Sequence, residues 1–213
     1  MTAGTAAALL FPLVLTLAPA PSPVPAPTEP VRAEAETAPI TWEIDTSHSD
    51  ISFRIRHLVS RVRGTFNDWS GTIVADPQNL AGGSVQVEIK TASIDTNNER
   101  RDTHLRSADF FDAEKHPTIT FRSTRVQTRG RQLTVTGNLT MHGITRPVVL
   151  RGEVTPPAGA AGKRRIGVEA SATINRQDFQ VAWNRAAEGG GVVLGDEVEI
   201  TITVEAVEQA AAS

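Results

Sequence analysis

The residues of this chain best suited to chemistry are five histidines, His48, His57, His104, His116 and His142. A zinc site or an acid-base pair would need two or three such groups presented together by one element. No HExxH, no HxH and no matching Asp/Glu spacing occurs, so no metal ligand is expected, and only a site assembled from distant strands stays open. His116 precedes Pro117 and His142 precedes Gly143, which is the company of turn residues. Asp102 and His104 stand two apart in a helix-like stretch and so face different directions, which argues against a local dyad. Cysteine and tyrosine are both absent, which removes the thiol nucleophile, the disulfide, the lipid-modified cysteine anchor and the phenolic acid-base group. GxSxG, P-loop and GxGxxG patterns are missing. Gly189-Gly190-Gly191 lacks the following helix that a phosphate cradle needs and reads as a loop. No catalytic residue is assigned and no enzyme is expected. A net charge of −3 without a basic stripe gives a nucleic-acid partner no electrostatic support.

The elements that would carry these residues are strands. From Glu197 to Glu205, Val198, Ile200, Ile202 and Val204 alternate with acidic and threonine side chains. A period of two makes one face dry and the other wet. The same code recurs at Val85, Val87 and Ile89, at Ile119 and Phe121, at Leu133 and Val135, and at Val148 and Leu150. Strands are expected over 41–46, 49–58, 61–75, 83–94, 117–127, 131–140, 144–155, 163–175 and 196–207, the first short enough to extend its neighbour. The phase shifts between Phe66 and Trp69, which predicts a bulge near Asn67-Asp68. Many one-sided strands bury their dry faces by closing into a barrel, and about eight strands leave room for one small ligand. The fold class is therefore all-β, a closed antiparallel barrel.

One polar segment, Asn97 to Ala108, breaks the rhythm and predicts a short crossover helix capped by Thr96 and Asn97. Phe110 and Phe111 follow it and either close the barrel mouth or pack as core. The inward set assigned to the pore is Phe53, Ile55, Val87, Ile89, Phe121, Val168, Ala170 and Ile200. Ala170 and Ala172 are small enough to leave volume inside. His57 shares the apolar face of Phe53 and Ile55: it is either a buried, hydrogen-bonded histidine or a polar handle for a ligand.

The N-terminal forty residues hold eight of the thirteen prolines and do not read as folded. Residues 6–18 form an apolar run of signal-peptide length, too short for a membrane span of roughly 20 residues. The organisation expected is a signal peptide over 1–20, a Pro/Ala-rich linker over 21–40, a barrel over 41–208 and a disordered tail over 209–213.

Trp42-x-Ile44-Asp45-x-x-His48-Ser49 leads into Phe53-x-Ile55-x-His57, then Gly64-x-Phe66. Next comes Arg101-Asp102-x-His104-Leu105-Arg106-Ser107-x-Asp109-Phe110-Phe111, then Pro117-x-Ile119-x-Phe121-x-Ser123. Gly137-x-Leu139-Thr140-x-x-Gly143-x-Thr145-x-x-Val148 and Gly195-Asp196-x-Val198 complete the set. Over about residues 41–207 the chain resembles the YceI family of bacterial, largely periplasmic, lipocalin-like proteins. The helix signature around Arg101, Asp102 and His104 is the specific part. The resemblance implies an eight-stranded antiparallel barrel whose long pore holds an amphiphile. Polyisoprenoid chains and isoprenoid quinones are the ligands it implies, with roles in transport, storage or stress.

It implies a periplasmic or secreted protein with no cofactor beyond the bound lipid. A membrane or membrane protein would serve as transient donor, and a homodimer is compatible. One departure stands out: after Arg176, where the family usually has Asp-Phe-Gly, this chain has Asp178-Phe179-Gln180. The physics agrees with a lipid container, since each buried CH₂ gains about 0.8 kcal/mol. Two other readings stay open: an enzyme acting on such lipids, and a structural barrel with its core packed shut.

Overall fold

The computed structural model describes Met1 and residues 38–160, 163–186 and 192–209. The expected leader and linker fall almost wholly outside the described residues, as do Gly189–Gly191 and most of the tail.

Eleven strands form one sheet: β1 (Ile40–Ile44), β2 (Asp50–His57), β3 (Ser60–Phe66), β4 (Trp69–Ala75), β5 (Ser84–Lys90), β6 (Ile94–Asp95), β7 (Thr118–Arg129), β8 (Gln132–Met141), β9 (Ile144–Ala158), β10 (Arg165–Asn175) and β11 (Leu194–Glu208). All their pairings are antiparallel. β11 is long enough to pair with both β2 and β1, through Thr203↔Asp50 on one side of a 3₁₀ turn at Thr46–His48 and Ile44↔Ala206 on the other. β3 and β4 likewise follow β2 and β1, and β6 extends β5. The segments thus make eight staves in chain order, closed where β1 meets β11.

The bulge expected near Asn67-Asp68 in a single strand is instead a break: β3 ends at Phe66 and β4 begins at Trp69, each pairing with a different partner. Asn67 N donates to Ser93 O (3.1 Å) and Lys90 N to Asp68 O (2.9 Å), so two neighbouring staves bend together. The alternating apolar residues face inward: Ile89, Ile119, Phe121, Leu133, Val135, Leu139, Val154 and Ile166 are all buried. At one end of the barrel Trp42 is fully buried, and its indole Nε1 donates to Ala75 O (3.4 Å). Arg164 and Glu208 form a two-pronged ion pair there (2.8 and 2.6 Å), and the guanidinium lies 5.9 Å from the Trp42 ring centroid.

The other end carries the crossover helix. α1 runs Glu99–Arg106 and starts later than expected. Its cap is Asn98, whose side chain accepts from Arg101 N (3.0 Å), while Asn97 takes a left-handed φ of 59° outside the helix. The 3₁₀ turn Arg176–Phe179 and the β2–β3 and β8–β9 turns share this end.

Candidate functional site: a two-chambered pore

The barrel interior holds two adjoining cavities. The inner one, about 180 Å³, is lined by aliphatic and aromatic groups, among them Val87, Ile89, Phe121, Val168 and Ala170. The outer one, about 540 Å³, lies under α1 and takes in Ile55, His57, Phe110 and Phe111. Phe53 and Ile200 line both. The eleven residues assigned to the pore, nine from strand phase and the Phe110-Phe111 pair from its place after the helix, therefore each border one chamber or the other. The rings of Phe53 and Phe66 stand between the chambers with centroids 5.9 Å apart, and Phe111 meets Phe66 edge-on at 6.2 Å.

The helix signature splits by role. Asp102, 3% exposed, accepts from Thr96 N (3.0 Å) and from the Thr96 hydroxyl. Arg101 donates through Nε to Thr96 Oγ1 (2.7 Å) and through Nη2 to Thr96 O (2.8 Å). These two side chains grip one buried threonine and so fix α1 over the mouth. His104 points elsewhere, as its spacing from Asp102 implies. Its Nε2 lies 2.8 Å from Asp109 Oδ2, and its ring meets Phe110 and Trp183 at 5.0 Å each. Arg101 and His104 border the outer chamber.

Several mouth residues escaped the sequence reading. Trp183 packs on Phe110 at 5.1 Å. Arg176, buried to 3% exposure, donates to the carbonyls of Gly195 (2.8 Å) and Trp183 (2.9 Å) and to Asp196 Oδ1 (3.0 Å). Burial pulls its pKa below the ordinary arginine value against the opposing pull of Asp196. It anchors Val181, Trp183 and the Gly195-Asp196 pair to the rim. Arg100 also lines the outer chamber, and its guanidinium engages no described side chain or carbonyl. The same holds for the His57 ring, which is half-buried: the histidine is not a hydrogen-bonded core residue. A dry inner chamber thus opens into a roomier one with two unengaged polar groups, Arg100 and His57.

One serine–histidine–aspartate group does not have the arrangement of a hydrolytic relay. Ser47, His48 and Asp45 cluster on the outer surface, but Ser47 Oγ and Asp45 Oδ2 both address the same ring nitrogen, His48 Nδ1, at 3.1 and 3.0 Å. A relay needs its carboxylate and its nucleophile on opposite nitrogens.

Two groups of three metal-ligating side chains occur among the described residues, Asp45/His48/Glu205 and Asp112/His116/His142. In the first, Arg165 already pairs with both carboxylates. The second comes from two separate turns, which is why spacing along the chain gave no sign of it.

A closed antiparallel barrel with a dry interior and a polar mouth defines a calyx-shaped β-barrel protein. A family model described as the YceI-like domain matches residues 42–206, and the chain belongs to that family. It is 40% identical over 164 residues to protein YceI of Escherichia coli O157:H7, covering 76% of this chain and 83% of that one. The crystal structure of Campylobacter jejuni YceI is similar at a TM-score of 0.62 and 34% identity, over 78% of this chain and 96% of that one. A polyisoprenoid binding domain from Saccharophagus degradans shares the fold at a TM-score of 0.60 and 16% identity, over 79% of this chain and 99% of that one.

Proposed function

We propose that this barrel binds a long-chain amphiphile, a polyisoprenoid or isoprenoid quinone, and stores or carries it rather than transforming it. The observation that carries the reading is the pairing of an apolar inner chamber with the unengaged Arg100 and His57 at its mouth. An isoprenoid tail gains from the first and a phosphate or quinone carbonyl from the second. The ligand described for the Saccharophagus degradans domain supports the same class. The inner chamber is near the size of a cavity of about 150 Å³ that admits one benzene. A long tail therefore enters only when Phe53 and Phe66 swing aside.

Loading would come from a membrane. Leu58 and Val59 project from the β2–β3 turn, 45% and 104% exposed, and Leu58 N is bonded to Val193 O (2.8 Å) beside exposed Val192. Exposed Arg56 lies beside them, and an exposed cation next to apolar side chains suits an anionic lipid surface. A periplasmic or secreted location fits the apolar run over residues 6–18 and is tested by N-terminal sequencing of fractionated cells.

The decisive measurement is native mass spectrometry of the gently purified full chain, followed by lipid extraction. An amphiphile retained at one per chain is expected. A chain that carries none, and that takes up neither a prenyl phosphate nor a quinone from mixed vesicles, overturns the proposal in favour of a packed structural barrel.

A further inference from the structure

The rim of the barrel holds a second place for a ligand, outside both chambers. Asp112 and His116 sit in the turn after α1, where His116 N donates to Asp112 O (2.8 Å). Thr91 Oγ1 donates to His116 O (2.7 Å) and holds this turn against the barrel. His142 comes from the β8–β9 turn with a left-handed φ of 52°. The three offer ligand atoms that all lie within 4.8 Å of one another.

Three further features are those of a built site. His142 Nδ1 lies 3.1 Å from Phe179 O, so the carbonyl accepts that N–H and Nε2 keeps its lone pair. A backbone acceptor on the far nitrogen is how proteins orient metal-binding imidazoles. The His116 ring, half-buried and without a hydrogen bond of its own, lies 4.8 Å from the His142 ring. It comes so near Gly143 that a Cβ there would stand 2.8 Å from His116 Cε1. The Asp112 carboxyl is 14% exposed, and Lys115 Nζ sits on its Oδ2 at 2.8 Å, a cation where a cation would bind.

We propose that Asp112, His116 and His142 form a binding site for a divalent transition metal. Zinc suits two imidazoles, one carboxylate and a water. Ligand atoms on a tetrahedral zinc lie roughly 3.3 Å apart, given bonds of about 2.0–2.1 Å. Binding therefore draws the three side chains inward and displaces the Lys115 ammonium. The ion joins the turn that follows Phe110-Phe111 to the β8–β9 turn and, through Phe179, to the 3₁₀ turn beyond it. It staples the mouth from outside.

The test titrates the chelator-treated full chain with Zn²⁺ by calorimetry and with Co²⁺ by visible absorption. One ion per chain is expected, with affinity at least about tenfold lower in His116→Gln and His142→Gln and higher in Lys115→Gln. Binding in His48→Gln should equal that of the parent. Should His142→Gln fail to fold, His116→Gln decides alone, because that ring makes no hydrogen bond. Absence of uptake, uptake that survives His116→Gln, uptake lost in His48→Gln, or weaker binding in Lys115→Gln would each overturn the assignment.

Discussion

Phe53 leans on Gly64: a Cβ placed on that glycine would stand 2.5 Å from Phe53 Cζ and 2.8 Å from the Thr96 methyl. The glycine lets the ring lie where the two chambers meet. Gly64→Ala should push the ring out of place and cost about 1–3 kcal/mol as overpacking. Replacing Phe53 with Leu in the same chain should recover most of that loss. Thermal melts of the four-member cycle measure the coupling; simple additivity would refute the contact.

Ala170 is 7% exposed and faces the inner chamber. Ala170→Trp should fill that space and abolish retention of the amphiphile while the barrel stays folded. A large fall in melting temperature, with no lipid found in the parent, would instead mark the interior as already packed.

Gln180 caps the 3₁₀ turn in a left-handed conformation, φ 57° and ψ 19°, where the family usually has glycine. A side chain pays about 1–2 kcal/mol for that conformation, and glycine pays back part of the difference in chain entropy. Gln180→Gly should raise stability by about 0.5–1 kcal/mol in chemical denaturation. A loss of stability would mean that the Gln180 side chain has a compensating partner.

The clamp on Thr96 should be structural rather than ligand-binding. Asp102→Ala leaves the buried Thr96 N–H and hydroxyl without an acceptor, at a cost of about 1–3 kcal/mol. Amphiphile affinity measured well below the new melting temperature should change little. Arg100→Gln should behave in the opposite way, weakening binding of a prenyl phosphate and leaving the melt unchanged.

Three carboxyls are held below their ordinary range: Asp45 by the Ser47 hydroxyl and then His48, Asp112 by Lys115, and Glu199 by Arg54 and then Arg61. A depressed folded pKa contributes stability that is complete above the unfolded value, about 4. That stability drains away as pH falls toward the lower folded value. Glu199→Gln should therefore make the acid limb of the melting profile shallower. An unchanged acid limb would show that this exposed pair contributes nothing.

The staves, the phase shift between Phe66 and Trp69 and the inward set from Phe53 to Ile200 were legible in the sequence because side-chain period depends only on the local backbone; that the shift is a strand break and not a bulge was not. Trp183, Arg176 and Arg100 were not. Trp183 lies in a segment with no period, and the work of Arg176 is set by carbonyls brought to it by the chain's return at Gly195. Arg100 is one charged residue among several on α1 until the helix is placed over the mouth. His57 could be put on the correct face, but whether it had a partner depended on what the barrel brought opposite it. The two histidines of the rim cluster lie 26 positions apart, just before β7 and just after β8, and the pairing of Thr120 with Thr140 in that hairpin brings them together.

The staves pair with their neighbours in chain order everywhere except at the seam, where Trp42 stands opposite Glu208 and Gln209 Nε2 reaches Glu43 across 166 positions. Local hairpins form quickly, whereas a contact across most of the chain carries the loop-closure entropy of everything between. The barrel should therefore assemble as an open, curling sheet that zips shut last, with β1 and β11 the edges exposed until it does. A head-to-tail cyclised chain that joins Gln209 to Ile40 through a short linker would convert the seam into a hairpin without opening another. Its refolding in stopped-flow experiments should outpace that of the parent, and the aggregation-prone interval before closure should shorten with it.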